Sequence, residues 1–383
     1  MTVTAPAGFE AAGIAAGIKR SGALDLAVVV NRGPSQAAAA VFTSNRAKAN
    51  PILWSQQAIA DGVATAIVLN SGGANCFTGT QGFQVTHGTA EAAAAALGAS
   101  AGDVLVCSTG LIGEQLDGEV LEEGVLSAVN RLSADGGLDA ARAIMTTDTK
   151  PKTVVVAGEG WSVGGMAKGA GMLAPGLATM LVVLTTDADL PADVLDRALR
   201  AATRVTFDRL DSDGCMSTND QVTLLASGAS GTVPDEAAFT AAVTAACRDL
   251  ALQLQADAEG ASHDIAIEVL GAATEDDAVE VGRSVARNNL FKAAIFGNDP
   301  NWGRVLAAIG TTSAPFDPYL VDVTMNGVRV CHAGGPDRPR DEVDLTPRAT
   351  HVRIELHAGE ASATIWTNDL THDYVHENSA YAS

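Results

Sequence analysis

From Gly169 to Thr186 the chain runs for 18 residues without a charge, GAGMLAPGLATMLVVLTT. That length would cross a bilayer as a helix. The first half excludes such a helix, because Gly169, Gly171, Pro175 and Gly176 interrupt it. The second half, MLVVLTT, is rich in β-branched residues and predicts a buried strand. The stretch therefore demands a strand entered through an irregular turn, with the hydroxyl of Thr179 at the junction. A threonine in a strand is ordinarily a plain β-former. Here its setting suggests chemistry as well, since a glycine- and proline-rich segment after a lysine can hold the preceding peptide in a strained geometry.

The rest of the chain supplies layers for that strand. Leu24–Val30, Ala37–Thr43, Ala64–Asn70 and Asp103–Thr109 predict buried strands. THGTAEAAAAALG predicts a helix stopped by Gly98, and EVLEEGVLSAVNRLSADGG a second one running to its Gly–Gly pair. TVVVAG and WSVGG predict a hairpin leading into the Gly169 stretch. Beyond Thr186, the expected order is a helix with Pro191 in its first turn, the strand QVTLLAS and a long helix ending near Gly260. DIAIEVLG is then a strand, TEDDAVEVGRSVARNNLFKAAIFG opens with a capping-box pattern, and four short strands close the chain. No GxGxxG or GxxxxGK[ST] motif follows a strand, so layered α/β or α+β architecture is favoured over a nucleotide-binding sheet.

Composition narrows the class. The net charge of −21 repels phosphates, which argues against nucleic acid or an anionic membrane as partner. Before Thr179 there are 14 acidic and 10 basic residues, and from Thr179 onward 31 and 14. Cys76, Cys107, Cys215, Cys247 and Cys331 show no CxxC spacing, which predicts a reducing compartment and no disulfide framework or structural zinc. The start, MTVTAPAGFE, has no secretory pattern, and a cytosolic protein is expected. The seven histidines form no HxH or HExxH pattern and GxSxG is missing, so zinc and serine hydrolase chemistry lack support.

Several segments carry candidate chemistry. If the Thr179 hydroxyl attacks the carbonyl of Ala178, the resulting ester can be opened by water. The chain then starts at Thr179 with an α-amine of pKa about 7.7–8.0 beside its own hydroxyl, an N-terminal activated nucleophile. The turn after the strand VLVCST places Thr109 and Gly110 where an oxyanion is held, or is a plain turn. NSGGAN is a second such turn that packs beside it or stands alone. Cys107 reads as a structural thiol. DRLDSDGCMSTND is acidic enough for calcium, but the twelfth position from Asp211 is Val222, not glutamate, so an EF-hand loop is rejected. In FGNDPNWGR, with Trp302 and Arg304, capping and packing compete evenly with a binding role. The tail VHENSAYAS reads locally as a frayed end.

GGMAKGAGMLAPGLATML resembles the cleavage segment of the ornithine acetyltransferases, the glutamate N-acetyltransferase family of cyclic arginine biosynthesis. NSGGAN, CSTGLIG, MTTD, STND, QLQADAEG, TEDDA, FGNDPNWGR and ENSAYAS extend the resemblance over nearly the whole chain. Two departures are Pro175-Gly176-Leu177, where many relatives have Pro-Asn-Met, and Gly73 in place of an expected asparagine. The resemblance implies autocleavage between Ala178 and Thr179 into an α chain (1–178) and a β chain (179–383) that stay associated, paired as α2β2. It implies an α-β-β-α sandwich shared with aminopeptidases of the DmpA type. It also implies Thr179 as nucleophile and Thr109 and Gly110 as the oxyanion pair. Thr146, Lys168, Thr179, Glu259, Asn378 and Ser383 are implied as the substrate-binding set. On that basis the tail joins the pocket. The expected reaction is acetyl transfer from N2-acetyl-L-ornithine to L-glutamate without metal or bound cofactor. The alternatives are a variant that also uses acetyl-CoA, one serving secondary metabolism, and an aminopeptidase or amidase on the same fold.

Overall fold

The computed structural model describes residues 2–174 and 180–380. MLVVLTT forms the strand Leu181–Thr186, buried at every position and central in a five-stranded sheet. On one side it pairs antiparallel with Ser162–Lys168, which turns back into Lys152–Ala157 as the expected hairpin. On the other it runs parallel to Gln221–Ala226, beyond which lies Ala38–Phe42. Alternation along the central strand serves two cores. Leu181 and Val183 enter one with Ile67, Leu69 and Leu105, whereas Val182 and Leu184 enter another with Leu199, Phe239 and Leu250.

The first of these cores lies between two sheets. The second sheet has four strands in the order Phe9–Ile14, Leu26–Asn31, Ala66–Ser71 and Val104–Thr109. Its opposite face, with Val28, Val68 and Val106, is covered by Ala90, Ala93, Leu121 and Val125 of the helices Gly79–Leu97 and Gly118–Val129. The five-stranded sheet is covered in turn by the helices Ala192–Arg204 and Glu236–Ala256. Helix, sheet, sheet and helix form the expected α-β-β-α sandwich. Full burial of each Val or Leu side chain stabilises it by about 1.5–3 kcal/mol.

Some local expectations are corrected. The helix expected to reach Gly136–Gly137 ends at Val129, because Ser133 bridges to Ala11 at the sheet edge and Gly136 lies where a Cβ would meet the Ala11 carbonyl oxygen at 1.9 Å. Gly136 instead precedes a new helix, Gly137–Ala143. Pro191 is the N-cap of its helix rather than a residue of the first turn. The long helix ends at Ala256, four residues before Gly260. The capping box of Thr274 and Asp277 forms, but the helix it opens stops at Ala286, and Asn288 caps a separate one, Asn289–Phe296. These helices and Trp302–Ile309 cover a third, six-stranded sheet built from residues 264–368, with its own core of Ile267, Val281, Phe291, Val352 and Ile354. No helix among the described residues is long and apolar enough to cross a membrane.

Candidate active site

The strand Val104–Thr109 runs parallel to Ala66–Ser71, in a register that places Ser71 opposite Thr109. The chain after each strand then turns against the other. The Thr109 carbonyl oxygen accepts from Gly72 N at 2.9 Å and Gly73 N at 3.0 Å, so NSGGAN packs directly beside the Thr109 turn. Gly110 has φ +128°, and a Cβ there would lie 2.6 Å from Gly73 N, so only glycine fits. Asn219 of STND ties the two turns together, donating to the carbonyl oxygens of Ala74 at 2.6 Å and Ser108 at 2.8 Å. Cys107 is buried, and burial pushes its thiol up, away from nucleophile chemistry.

Lys168 ends the strand before the Gly169 stretch with its side chain buried. Its ammonium donates to Thr146 Oγ1 at 2.7 Å and to Thr109 Oγ1 at 3.2 Å, which brings three of the candidate residues together. Burial lowers its pKa, against the attraction of Asp148. Asp148 organises the floor below. It accepts from Lys152 Nζ at 2.6 Å, Gly169 N at 2.7 Å and Thr146 N at 3.0 Å. Burial opposes ionisation of Asp148, but Lys168 and Lys152 outweigh it and hold the carboxyl below the ordinary range. Lys152 is shared with Asp257, also at 2.6 Å.

Glu259 forms the next wall. Its carboxylate accepts from Thr147 Oγ1 at 2.7 Å and from Asn378 Nδ2 at 2.9 Å, so the C-terminal helix His372–Ala380 does reach the site. The carboxylate lies over Gly171, where a Cβ would be 2.4 Å from Glu259 Oε2. Ala178, Thr179 and Ser383 lie outside the described residues. The ends that flank residues 175–179 are anchored. Ser212 N donates to the Leu173 carbonyl oxygen at 2.6 Å, Asp213 accepts from Met172 N at 2.7 Å, and Asp220 accepts from Met180 N at 3.0 Å. Burial raises the Asp220 carboxyl well above the ordinary range.

Sequence reasoning missed Asp148, Lys152, Asp257, Asp213 and Asp220. The acidic run read as a rejected calcium loop turns out to clamp the backbone on both sides of residues 175–179. Among the described residues, no three His, Cys, Asp or Glu side chains are grouped to hold a metal ion. In FGNDPNWGR, Trp302 opens a helix and packs against the third core, while Arg304 donates to the Leu290 carbonyl oxygen.

A four-layer sandwich that gathers a buried ammonium, two hydroxyls, a glycine turn and a carboxylate around the entry to its central strand is laid out for acyl chemistry at a hydroxyl. The chain belongs to the ArgJ family, whose model matches residues 10–383. It is 65% identical over 383 residues to the arginine biosynthesis bifunctional protein ArgJ of Streptomyces coelicolor, with 100% of both chains covered. The protein of the same name from Streptomyces avermitilis is 66% identical with the same coverage. Among solved structures, ornithine acetyltransferase complexed with ornithine from Mycobacterium tuberculosis is 55% identical, covering 47% of this chain and 96% of that one at a TM-score of 0.45.

Proposed function

We propose that this chain is the acetyltransferase of arginine biosynthesis that moves acetyl from N2-acetyl-L-ornithine to L-glutamate through an ester on Thr179, after cutting itself between Ala178 and Thr179. In the cut, the Thr179 hydroxyl attacks the Ala178 carbonyl, the peptide C–N bond breaks to give an ester and a free α-amine, and water hydrolyses the ester. In transfer, the hydroxyl attacks the acetyl carbonyl and its proton passes to the new amine. Ornithine leaves with that proton. The amine of glutamate then attacks the acetyl ester, and N-acetylglutamate is released.

The observation that carries this reading is the hydrogen bond from Lys168 Nζ to Thr109 Oγ1. An ammonium can only donate, so it occupies a lone pair of the Thr109 oxygen and leaves that residue's own O–H to donate elsewhere. With the N–H of Gly110, that O–H supplies the two donors a developing oxyanion needs. Thr146 and Lys168 bind the substrate's polar groups, Glu259 and Asn378 its ammonium, and Ser383 completes the substrate-binding set. The α and β chains remain paired as α2β2 in the cytoplasm. The alternative reading is a variant that also takes acetyl from acetyl-CoA, which would fit the word "bifunctional" in the relatives' name.

Denaturing mass analysis should find two polypeptides split before Thr179, and acetyl should pass from N2-acetylornithine to glutamate rather than to water. An uncut chain that still transfers acetyl would overturn the mechanism. Free acetate as the main product would favour an amidase.

A further inference from the structure

Glu259 also lines a cavity of about 420 Å³ that none of the steps above uses. Its wall carries both signs of charge, with Asp213 and Asp369 facing Arg287 and Lys292. The two signs differ in what remains unsatisfied. The Asp213 oxygens accept from the backbone N–H groups of Met172 and Cys215. Those of Asp369 are held by Ser262 and by the backbone and ring of His263. The fold itself thus engages both acids, Asp213 through one bond to each oxygen and Asp369 through two.

The cations keep donors unused. Arg287 runs over Gly214, 3.7 Å from where a Cβ there would sit, and is fixed end-on by one bond from Nε to Asp211 Oδ2 at 2.7 Å. Among the described residues no hydrogen bond uses its Nη1 or Nη2. Its side chain is 47% exposed, while that of Asp211 is fully buried. Lys292, on the same wall, is buried and donates to the Ser212 carbonyl oxygen and to Thr367 Oγ1, which leaves one of its three donors. Asn289 adds a side-chain amide to the same wall. What this cavity still offers is a pre-positioned guanidinium backed by an ammonium, the arrangement that suits a carboxylate.

We infer that this cavity is the specificity subsite for the acceptor's side chain, with Arg287, backed by Lys292, receiving the carboxylate of an acidic amino acid while the acceptor's amine end lies toward Glu259. This rests on the acyl-transfer reading above and extends it to how an acidic acceptor is chosen. A wall that carries both signs also suits a pocket that must hold a cationic and then an anionic amino acid.

The test compares Arg287→Gln and Arg287→Lys with wild type in two assays, ornithine release from N2-acetylornithine and acetyl transfer to L-glutamate. Arg287→Gln should lower kcat/KM for glutamate on the order of 10- to 100-fold more than it lowers the donor half-reaction, as expected for a lost charge-assisted hydrogen bond. Arg287→Lys should recover part of the loss. A merely structural role through Asp211 would lower both assays together, and that result, or glutamate kinetics within twofold of wild type, overturns the proposal. Should wild type release no ornithine, the transfer reading fails instead. Calorimetric titration of L-glutamate into wild type and Arg287→Gln then still decides the subsite: weaker binding by the variant supports it, and equal or undetectable binding by both overturns it.

Discussion

Lys152 and Lys168 stand side by side at the open end of one hairpin, where Lys152 pairs with Ala167, and both are buried. Lys152 meets two carboxylates, Asp148 and Asp257, each at 2.6 Å. Lys168 meets two hydroxyls and, among the described residues, no carboxylate within ion-pair distance. Equal burial thus produces a neutralised knot in one place and an under-compensated charge in the other. The knot fixes geometry, since Asp148 also holds the backbone of Thr146 and Gly169. The lone ammonium keeps a field that a reacting group can use. A buried ammonium whose counter-charges lie beyond ion-pair distance costs stability, which the fold tolerates where the charge has work to perform.

This contrast can be broken in order of effect. Thr179→Ala should abolish processing and lower acetyl transfer by at least about 10⁴-fold, with thermal stability close to wild type; a cut, active variant defeats the assignment. Lys152→Met should show the opposite signature, losing about 3–5 kcal/mol of stability because two buried carboxylates lose their partner. Urea denaturation checks this, and a loss below about 1 kcal/mol would mean that the knot is not structural. Lys168→Met should cost about 10²–10³-fold in kcat, as for a removed oxyanion group, with little loss of stability.

Acid–base behaviour sharpens the same contrast. Burial lowers the Lys168 pKa, so its ammonium is present below that value and lost as pH rises through it. The alkaline limb of the pH–rate profile should therefore fall earlier than an ordinary lysine, near 10.4, would allow, and Lys168→Arg should move that limb upward. Asp148 behaves inversely. Its depressed carboxyl adds stability above the unfolded value near 3.9, and that stability is lost as pH falls through the folded value. Glu259→Gln is the mildest change, expected to raise KM for the amino acid substrates about tenfold with processing intact. An unchanged KM would remove Glu259 from the site.

Much of the sandwich was legible because its strands are continuous runs of Val, Leu and Ile, as strands buried on both faces must be. Thr109 and Gly110 stood out at a strand end, whereas Lys168 and Glu259 were implied by the family resemblance. The ion knot was not legible, because Lys152 and Asp257 are separated by 105 residues and meet only after the hairpin packs on the helix ending at Ala256. The helix Asn50–Ala58 and the strand Phe9–Ile14 also escaped, the first for want of a periodic apolar face and the second because FEAAGI is mostly small residues. Asp213 and Asp220 were visible only as acids. Their task, gripping backbone N–H groups, depends on loop geometry that spacing does not encode.

The five-stranded sheet takes Ala38–Phe42, Ser162–Lys168 and Lys152–Ala157 from before residue 179 and Leu181–Thr186 and Gln221–Ala226 from after it. Made separately as 1–178 and 179–383, each half would present raw strand edges and a bared hydrophobic sheet face, and would be prone to aggregate. Co-expressed halves would have to fold around one another, so synthesis as a single polypeptide acts as an intramolecular chaperone for the shared sheet.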